Sequence, residues 1–145
     1  MDEPTLQCIL FVEDTALQRE LTERLYKMVE KVFHGATTFL TAESWQEAMK
    51  KLKAHPVDIL IADLVLPPMS ADETLLAIRD TEGLPPVVAL TGYSNDERDF
   101  IAKMRRKCFA HGCDDFVCKQ DVNHHPEILC ERVFHSFLRN AYART

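Results

Sequence analysis

The sequence contains little glycine and no glycine-rich loop. Only 4 of the 145 residues are glycine, and no segment is of low complexity. This composition excludes disordered, collagen-like and linker-dominated chains. The absence of a glycine-rich loop after the first predicted strand also disfavours a nucleotide- or flavin-binding module. The length suits one core, so we expect a single domain.

Basic residues are fewer than acidic ones: the sequence has 17 lysines and arginines and 23 aspartates and glutamates, which gives a formal net charge of -6. This charge opposes non-specific attraction to nucleic acid or to an anionic membrane, so we expect no direct nucleic-acid binding. No apolar run approaches the roughly 20 residues of a membrane span, and the acidic start Met1–Thr5 is unlike a signal peptide. We therefore expect a cytoplasmic location and no membrane contact.

Cysteine pairing motifs are missing as well. The 5 cysteines are an odd number and include no CxxC pair, so neither a disulfide framework nor a zinc knuckle is indicated. Three histidines, His111, His124 and His125, lie near three of the cysteines, but the spacings match no standard metal-ligand pattern. We expect free thiols and exposed loop histidines.

What the sequence does contain is an alternation of short β-type runs with longer segments of helical period. The predicted strands are Leu6–Val12, Thr37–Thr41, Val57–Ala62, Pro86–Leu90 and Asp115–Cys118. Three predicted helices begin with a capping-box pattern, a serine followed three residues later by glutamate, at Ser44/Glu47, Ser70/Glu73 and Ser94/Glu97. A last helix is predicted to begin at Pro126. The pattern indicates an α/β fold with a five-stranded parallel sheet and helices on both faces.

Polar residues stand where the predicted strands end. Glu13 and Asp14 follow the first strand, Asp63 the third, Thr91 the fourth and Lys119 the fifth. With strand order 2-1-3-4-5 these side chains share one rim, where ligands of open parallel sheets bind. Three carboxylates there repel one another at about 4 kcal/mol per pair, a repulsion that Lys119 and a hydrated Mg²⁺ ion would relieve. Singly, each residue has an ordinary structural explanation; together they predict phosphoryl transfer to a carboxylate.

These motifs resemble those of the response-regulator receiver domain, the CheY-like family of two-component phosphorelay signalling. The resemblance covers about residues 6–138 and rests on Ile9–Asp14, Asp58–Asp63 with Pro67, Val87–Thr91 and Asp115–Lys119. It implies a flavodoxin-like fold of order 2-1-3-4-5. We expect one receiver domain spanning 1–145 with no output domain, either freestanding or excised from a larger protein. It also implies a signalling module that catalyses only its own phosphorylation and dephosphorylation.

The resemblance further implies roles for individual residues. Asp63 would accept a phosphoryl group from a sensor histidine kinase or phosphotransfer protein. Glu13, Asp14, Asp63 and the Val65 carbonyl would bind Mg²⁺, and Thr91 and Lys119 would contact the phosphoryl group. In the implied switch, Thr91 moves toward the phosphate and Phe116 follows inward. The surface formed by the fourth helix, fifth strand and last helix then changes, to bind a downstream protein or to form a homodimer.

Three features of the sequence bear on alternative interpretations. Gln120 stands where the family usually has proline after the lysine, so we expect a trans Lys119–Gln120 bond and a reshaped loop. This departure motivates a pseudo-receiver that binds a partner without taking phosphate. An aspartyl-phosphate phosphatase of the haloacid dehalogenase kind would need a second aspartate two residues after Asp63, where Val65 stands. A basic cluster on or after the fourth helix, Lys103 and Arg105–Lys107, is either a solvated face or a docking surface.

Overall fold

A five-stranded parallel sheet forms the centre of the protein in the computed structural model, which describes residues 4–13, 17–33, 37–92 and 98–143. The strands are β1 (Cys8–Val12), β2 (Thr38–Ala42), β3 (Ile59–Asp63), β4 (Val87–Thr91) and β5 (Asp115–Cys118). Their spatial order is β2-β1-β3-β4-β5, and every pair of neighbours is parallel. This confirms the predicted flavodoxin-like order.

Helices connect and flank the strands. They are α1 (Leu17–Phe33), α2 (Trp45–Ala54), α3 (Ala71–Asp80), α4 (Arg98–Ala110), α5 (Lys119–His124) and α6 (Glu127–Ala143). Within the residues described, no helix combines the length and the apolar character that a membrane span requires.

The sheet separates two hydrophobic cores because successive side chains of a strand point to opposite faces. In β3, Leu60 and Ala62 join the core under α2, α3 and α4, whereas Ile59 and Ile61 join the core under α1 and α6. All five β3 residues are buried, as expected for a strand covered on both faces. The helices therefore cover the central strands on both faces, and the strand ends are where polar side chains can gather.

The predicted helix caps are found in part. Ser70 forms the complete capping box: its hydroxyl accepts from the Glu73 N–H, and Glu73 accepts from the Ser70 N–H. At α2 only half of the box forms, because the Glu47 carboxylate accepts from the N–H of Glu43, one residue before the Ser44 cap. The predicted box at Ser94 and Glu97 lies outside the described residues.

The connection after β5 is reshaped by a short helix. The short helix α5 begins at Lys119 itself, and its Val122 is fully buried against the α1/α6 core. Among the described residues only the Pro67–Pro68 peptide is cis, so the Lys119–Gln120 bond is trans. The expected trans bond and reshaped connection are confirmed.

Candidate functional site

Four segments of the chain meet at the carboxyl end of the sheet. Asp63 and Thr91 are the last residues of β3 and β4, while Glu13 and Lys119 come directly after β1 and β5. The backbone fixes these positions, since the Glu13 N–H donates to the Ala42 carbonyl and Thr91 is in register with Cys118. Sheet order and register thus place all four at one rim.

A single lysine joins the two buried carboxylates of this rim. Lys119 Nζ donates to Asp63 Oδ2 at 2.7 Å and lies 2.7 Å from Glu13 Oε2. Glu13 is 0% exposed and Asp63 is 3% exposed. Because isolated buried charges are costly, this double contact explains how two carboxylates are tolerated inside an apolar sheet.

Glu13, Asp63 and Lys119 shift one another's pKa values. Burial raises the pKa of Glu13; the hydrogen bond from Lys119 opposes this effect, and the charge of Asp63 reinforces it. Burial would lower the pKa of Lys119, but the contacts with Asp63 and Glu13 outweigh burial and raise it. Lys119 therefore stays cationic at neutral pH, while Glu13 is not fully compensated by one lysine.

Asp63 is held in one orientation with lone pairs to spare. The Val65 N–H donates to Asp63 Oδ1 at 3.1 Å, while Lys119 occupies Oδ2. An ionised carboxylate has about four acceptor positions, so these two donors leave others for a phosphorus atom or a metal ion. Val65 itself is 50% exposed and marks the side on which the rim opens to solvent.

Thr91 contributes a hydroxyl to the next strand end. The residue is fully buried, and its Oγ1 has no hydrogen-bond partner among the residues described. Buried polar groups in native structures usually have partners, and those that lack one call for an explanation. A phosphoryl oxygen on Asp63 of the neighbouring strand would supply the missing partner.

The donor set fits a hard divalent cation. Glu13 and Asp63 are carboxylates, the ligand type that Mg²⁺ prefers. Both are buried, and both lie within 2.7 Å of the same Lys119 ammonium. Asp14, the third predicted metal carboxylate, lies outside the described residues, and the role of the Val65 carbonyl stays a prediction. In the described part of the chain, no group of three or more His, Cys, Asp or Glu side chains is arranged to hold a metal ion.

The predicted switch aromatic lies inside the protein. Phe116 is 3% exposed in the core under α2, α3 and α4, and the guanidinium carbon of Arg105 lies 5.8 Å from its ring centroid. The Phe116 ring thus already occupies the inward position that the implied switch assigns to it. The sequence alone does not reveal this cation–π contact, since no spacing rule connects a residue of α4 with one of β5.

Comparison with known protein families identifies the class of protein that carries this fold. The model of the response regulator receiver domain matches residues 9–130, and the chain belongs to this family. The transcriptional regulatory protein YvrH of Bacillus subtilis is 30% identical over 111 residues, covering 77% of this chain and 42% of YvrH. A cyclic di-GMP phosphodiesterase of Thermotoga maritima is 28% identical over 143 residues, covering 94% of this chain and 34% of that enzyme.

Both of these relatives are longer, and this chain spans less than half of either. Among solved structures, the receiver domain of a signal transduction histidine kinase from Syntrophus aciditrophicus is 25% identical with a TM-score of 0.63, covering 92% of this chain and 91% of that one. The BeF3-activated DrrB receiver domain is 23% identical with a TM-score of 0.66, covering 93% and 99%. The second likeness supports the fold alone.

Proposed function

We propose that this receiver domain accepts a phosphoryl group on Asp63, from a sensor histidine kinase or a phosphotransfer protein, in a Mg²⁺-dependent reaction. The observation that carries the proposal is the arrangement of Asp63: a buried carboxylate held by Lys119 at 2.7 Å and by the Val65 N–H at 3.1 Å. Beside it lies a buried threonine hydroxyl without a partner among the described residues. This set matches the needs of a nucleophile and its phosphoryl-oxygen donors.

The transfer needs little from the protein besides position and charge. An oxygen of Asp63 attacks phosphorus, the phosphorus–nitrogen bond of the donor phosphohistidine breaks, and the imidazole leaves with the electron pair. Lys119 can shift its contact from the Asp63 carboxylate to a phosphoryl oxygen. The Thr91 hydroxyl can donate a hydrogen bond to another phosphoryl oxygen. Mg²⁺, held by Glu13, Asp63 and the predicted ligands Asp14 and Val65, would neutralise phosphoryl oxygens.

The proposal is tested by intact mass after incubation with acetyl phosphate, with Mg²⁺ or with a chelator. We expect a gain of one phosphoryl group with Mg²⁺ and none in Asp63→Asn. Asp58→Asn is the matched control, because Asp58 precedes the same strand but lies at its opposite end, where its carboxylate accepts from the Gln7 and Cys8 N–H groups. This control should still be phosphorylated.

Two results would contradict the proposal. Absence of any gain in folded wild-type protein would favour the pseudo-receiver, with the α5 connection after Lys119 as the first feature to examine. A gain of equal size in Asp63→Asn would place the modification on another residue. Hydrolysis of unrelated phosphate esters with turnover would instead support the phosphatase alternative.

Phosphorylation would be read by a partner through the surface of α4, β5 and α6. We infer that the phosphoryl group draws Thr91 and thereby stabilises Phe116 in its buried position, which changes how Arg105 lies on the surface of α4. The test is hydrogen exchange of α4 and β5 with and without beryllofluoride. Slower exchange that is lost in Thr91→Val would support this coupling, and unchanged exchange in wild type would refute it.

The same surface offers contacts for a downstream protein or for a second copy of the chain. Its basic cluster, Lys103 and Arg105–Lys107, is exposed, although Lys107 contacts Asp72 of α3 at 3.3 Å. Such a cluster suits an acidic partner and makes association sensitive to salt. Sedimentation velocity of the protein with beryllofluoride, at low and at high salt, distinguishes a homodimer from a monomer whose surface binds a different protein. The cytoplasmic location stays a prediction.

A further inference from the structure

Helix α4 ends in a turn that brings two cysteines together. The Cys113 N–H donates to the Cys108 carbonyl at 2.9 Å, and the Gly112 N–H donates to the Phe109 carbonyl at 3.2 Å. Gly112 has φ 93°, the left-handed conformation that glycine adopts most easily. These are the two hydrogen bonds of a Schellman motif, in which the side chains of the first and last residues commonly touch. Here both residues are cysteines.

The two thiols interact with each other. A hydrogen bond from Cys113 lowers the pKa of Cys108 although burial opposes this effect, and the same bond raises the pKa of Cys113. For Cys130 in the opposite core, burial is the main influence and raises the pKa to about 11. The pair is thus polarised, with Cys108 the more easily ionised thiol and Cys113 its proton donor.

An open cavity lies beside the turn that holds this pair. Cys108 is 0% and Cys113 is 5% exposed, so direct attack on the closed turn is restricted. Both neighbours of Cys113 in the chain, Gly112 and Asp114, line an open cavity of about 460 Å³. Because both thiols are buried, reaction of a small reagent with them requires opening of the last turn of α4 beside this cavity.

We propose that Cys108 and Cys113 form a reversible dithiol–disulfide site that is oxidised by a hydroperoxide. The Cys108 thiolate attacks one peroxide oxygen, the oxygen–oxygen bond breaks and, for hydrogen peroxide, water leaves after protonation, so that Cys108 becomes a sulfenic acid. Cys113 then attacks the Cys108 sulfur, a second water leaves, and the sulfur–sulfur bond forms. Two thiols lose two electrons, and one hydrogen peroxide is reduced to two waters.

The position of the bond gives it a structural consequence. It would tie the end of α4 to the residue two before β5 and three before Phe116. Cross-linking a short loop mainly restricts its open states, so the α4–β5 connection would lose local mobility. The site uses no residue of the phosphorylation rim, so it stands or falls independently of the proposed function.

The experiment treats the folded protein with hydrogen peroxide, stops the reaction with catalase and alkylates all remaining thiols in denaturant. Of the five free cysteines, three should remain alkylatable after the two of the turn have paired. Peptide mapping should find one intramolecular bond between Cys108 and Cys113, and dithiothreitol should restore all five thiols. Circular dichroism verifies that the treated protein stays folded.

Variants distinguish this site from general oxidation. Cys113→Ala should leave Cys108 as a sulfenic acid that dimedone captures, whereas Cys130→Ala, which removes a buried thiol from the opposite core, should still form the bond. The proposal is overturned if peroxide produces no Cys108–Cys113 bond in folded protein, or if the bond forms no faster than Cys130 is oxidised. The second result would show that the pair reacts only after global unfolding.

Discussion

The two ends of the sheet both carry aspartates, yet they satisfy them in different ways. At the amino end, the Asp58 carboxylate accepts from the Gln7 and Cys8 N–H groups at 2.7 and 3.0 Å. Asp114 accepts from the Val87 N–H at 3.1 Å and also from Asn140. These partners are parts of the folded backbone and of α6, so the aspartates connect neighbouring segments.

At the carboxyl end the polar groups depend on one another. Asp63 and Glu13 share the single ammonium of Lys119, and Thr91 has no partner among the residues described. At the amino end the aspartates accept from the backbone and from α6, whereas at the carboxyl end two buried carboxylates share one lysine beside a hydroxyl that has no partner among the described residues. This difference suggests that substitutions at the amino end will cost stability alone, whereas those at the carboxyl end will change chemistry.

Removing the shared cation should have the largest effect. In Lys119→Met, two buried carboxylates remain without their counterion, so we expect a loss of about 3 kcal/mol in the free energy of unfolding without Mg²⁺. Phosphorylation by acetyl phosphate should slow about 100-fold, as for loss of one electrostatic donor in other active sites. Urea denaturation and timed intact mass measure these effects. Part of the stability should return with Mg²⁺; a variant as stable and reactive as wild type would contradict the assignment.

At the opposite end, Asp114→Ala should separate stability from reactivity. The substitution removes the acceptor of the Val87 N–H, one of the two acceptors of the Asn140 amide and the carboxylate partner of Arg139, so we expect a loss of about 2 kcal/mol. The rate of phosphorylation should stay within about twofold of wild type, because the sheet still orders the far rim. Urea denaturation and the same mass assay apply. A strongly reduced rate at unchanged stability would refute the division between the two ends.

A pair of threonines offers a finer comparison. Thr91 and Thr74 are both fully buried, but the Thr74 hydroxyl donates to the Ser70 carbonyl at 3.0 Å. Thr74→Val should cost about 1 kcal/mol, whereas Thr91→Val should be neutral or stabilising by about 1 kcal/mol and should slow phosphorylation about tenfold. Thermal and urea unfolding with timed mass spectra test this. Equal destabilisation by both substitutions would show that Thr91 has a structural partner.

The smallest effect concerns pH. The pKa of Glu13 is raised above its ordinary 4.5, so its ionisation destabilises the folded state. Its favourable contribution is complete below pH 4.5 and is lost as the pH rises through the raised value. Relative to Glu13→Gln, wild type should therefore lose stability over that interval in the absence of Mg²⁺. Urea denaturation across the interval tests this sign, and a wild type that gains stability over it would contradict the cause given for the shift.

Much of the fold could be predicted because local and long-range signals agree. Apolar runs located all five strands, with β5 predicted at its observed bounds, and the serine–glutamate spacing located the starts of α2 and α3. Strand order then predicted that Glu13, Asp63 and Lys119 would meet, and they do.

Other features could not be predicted from pattern. The six residues of α5 are too few to show a helical period. The Glu47 carboxylate accepts from the Glu43 N–H because of the local backbone conformation. The sequence does not reveal this difference, since Ser44 and Glu47 have the same spacing as Ser70 and Glu73. The contact of Arg105 with Phe116 joins two elements whose facing residues only the packed structure identifies.

The rim has a consequence for the biogenesis of the protein. Its four residues come from segments that begin near residue 13 and end near residue 119, so no fragment that lacks either end of this interval contains the complete set. A nascent or truncated chain would therefore be silent toward a phosphate donor until its last strand has paired. If Asp63 accepts a phosphoryl group as proposed, only molecules that have been synthesised and folded through β5 would become phosphorylated.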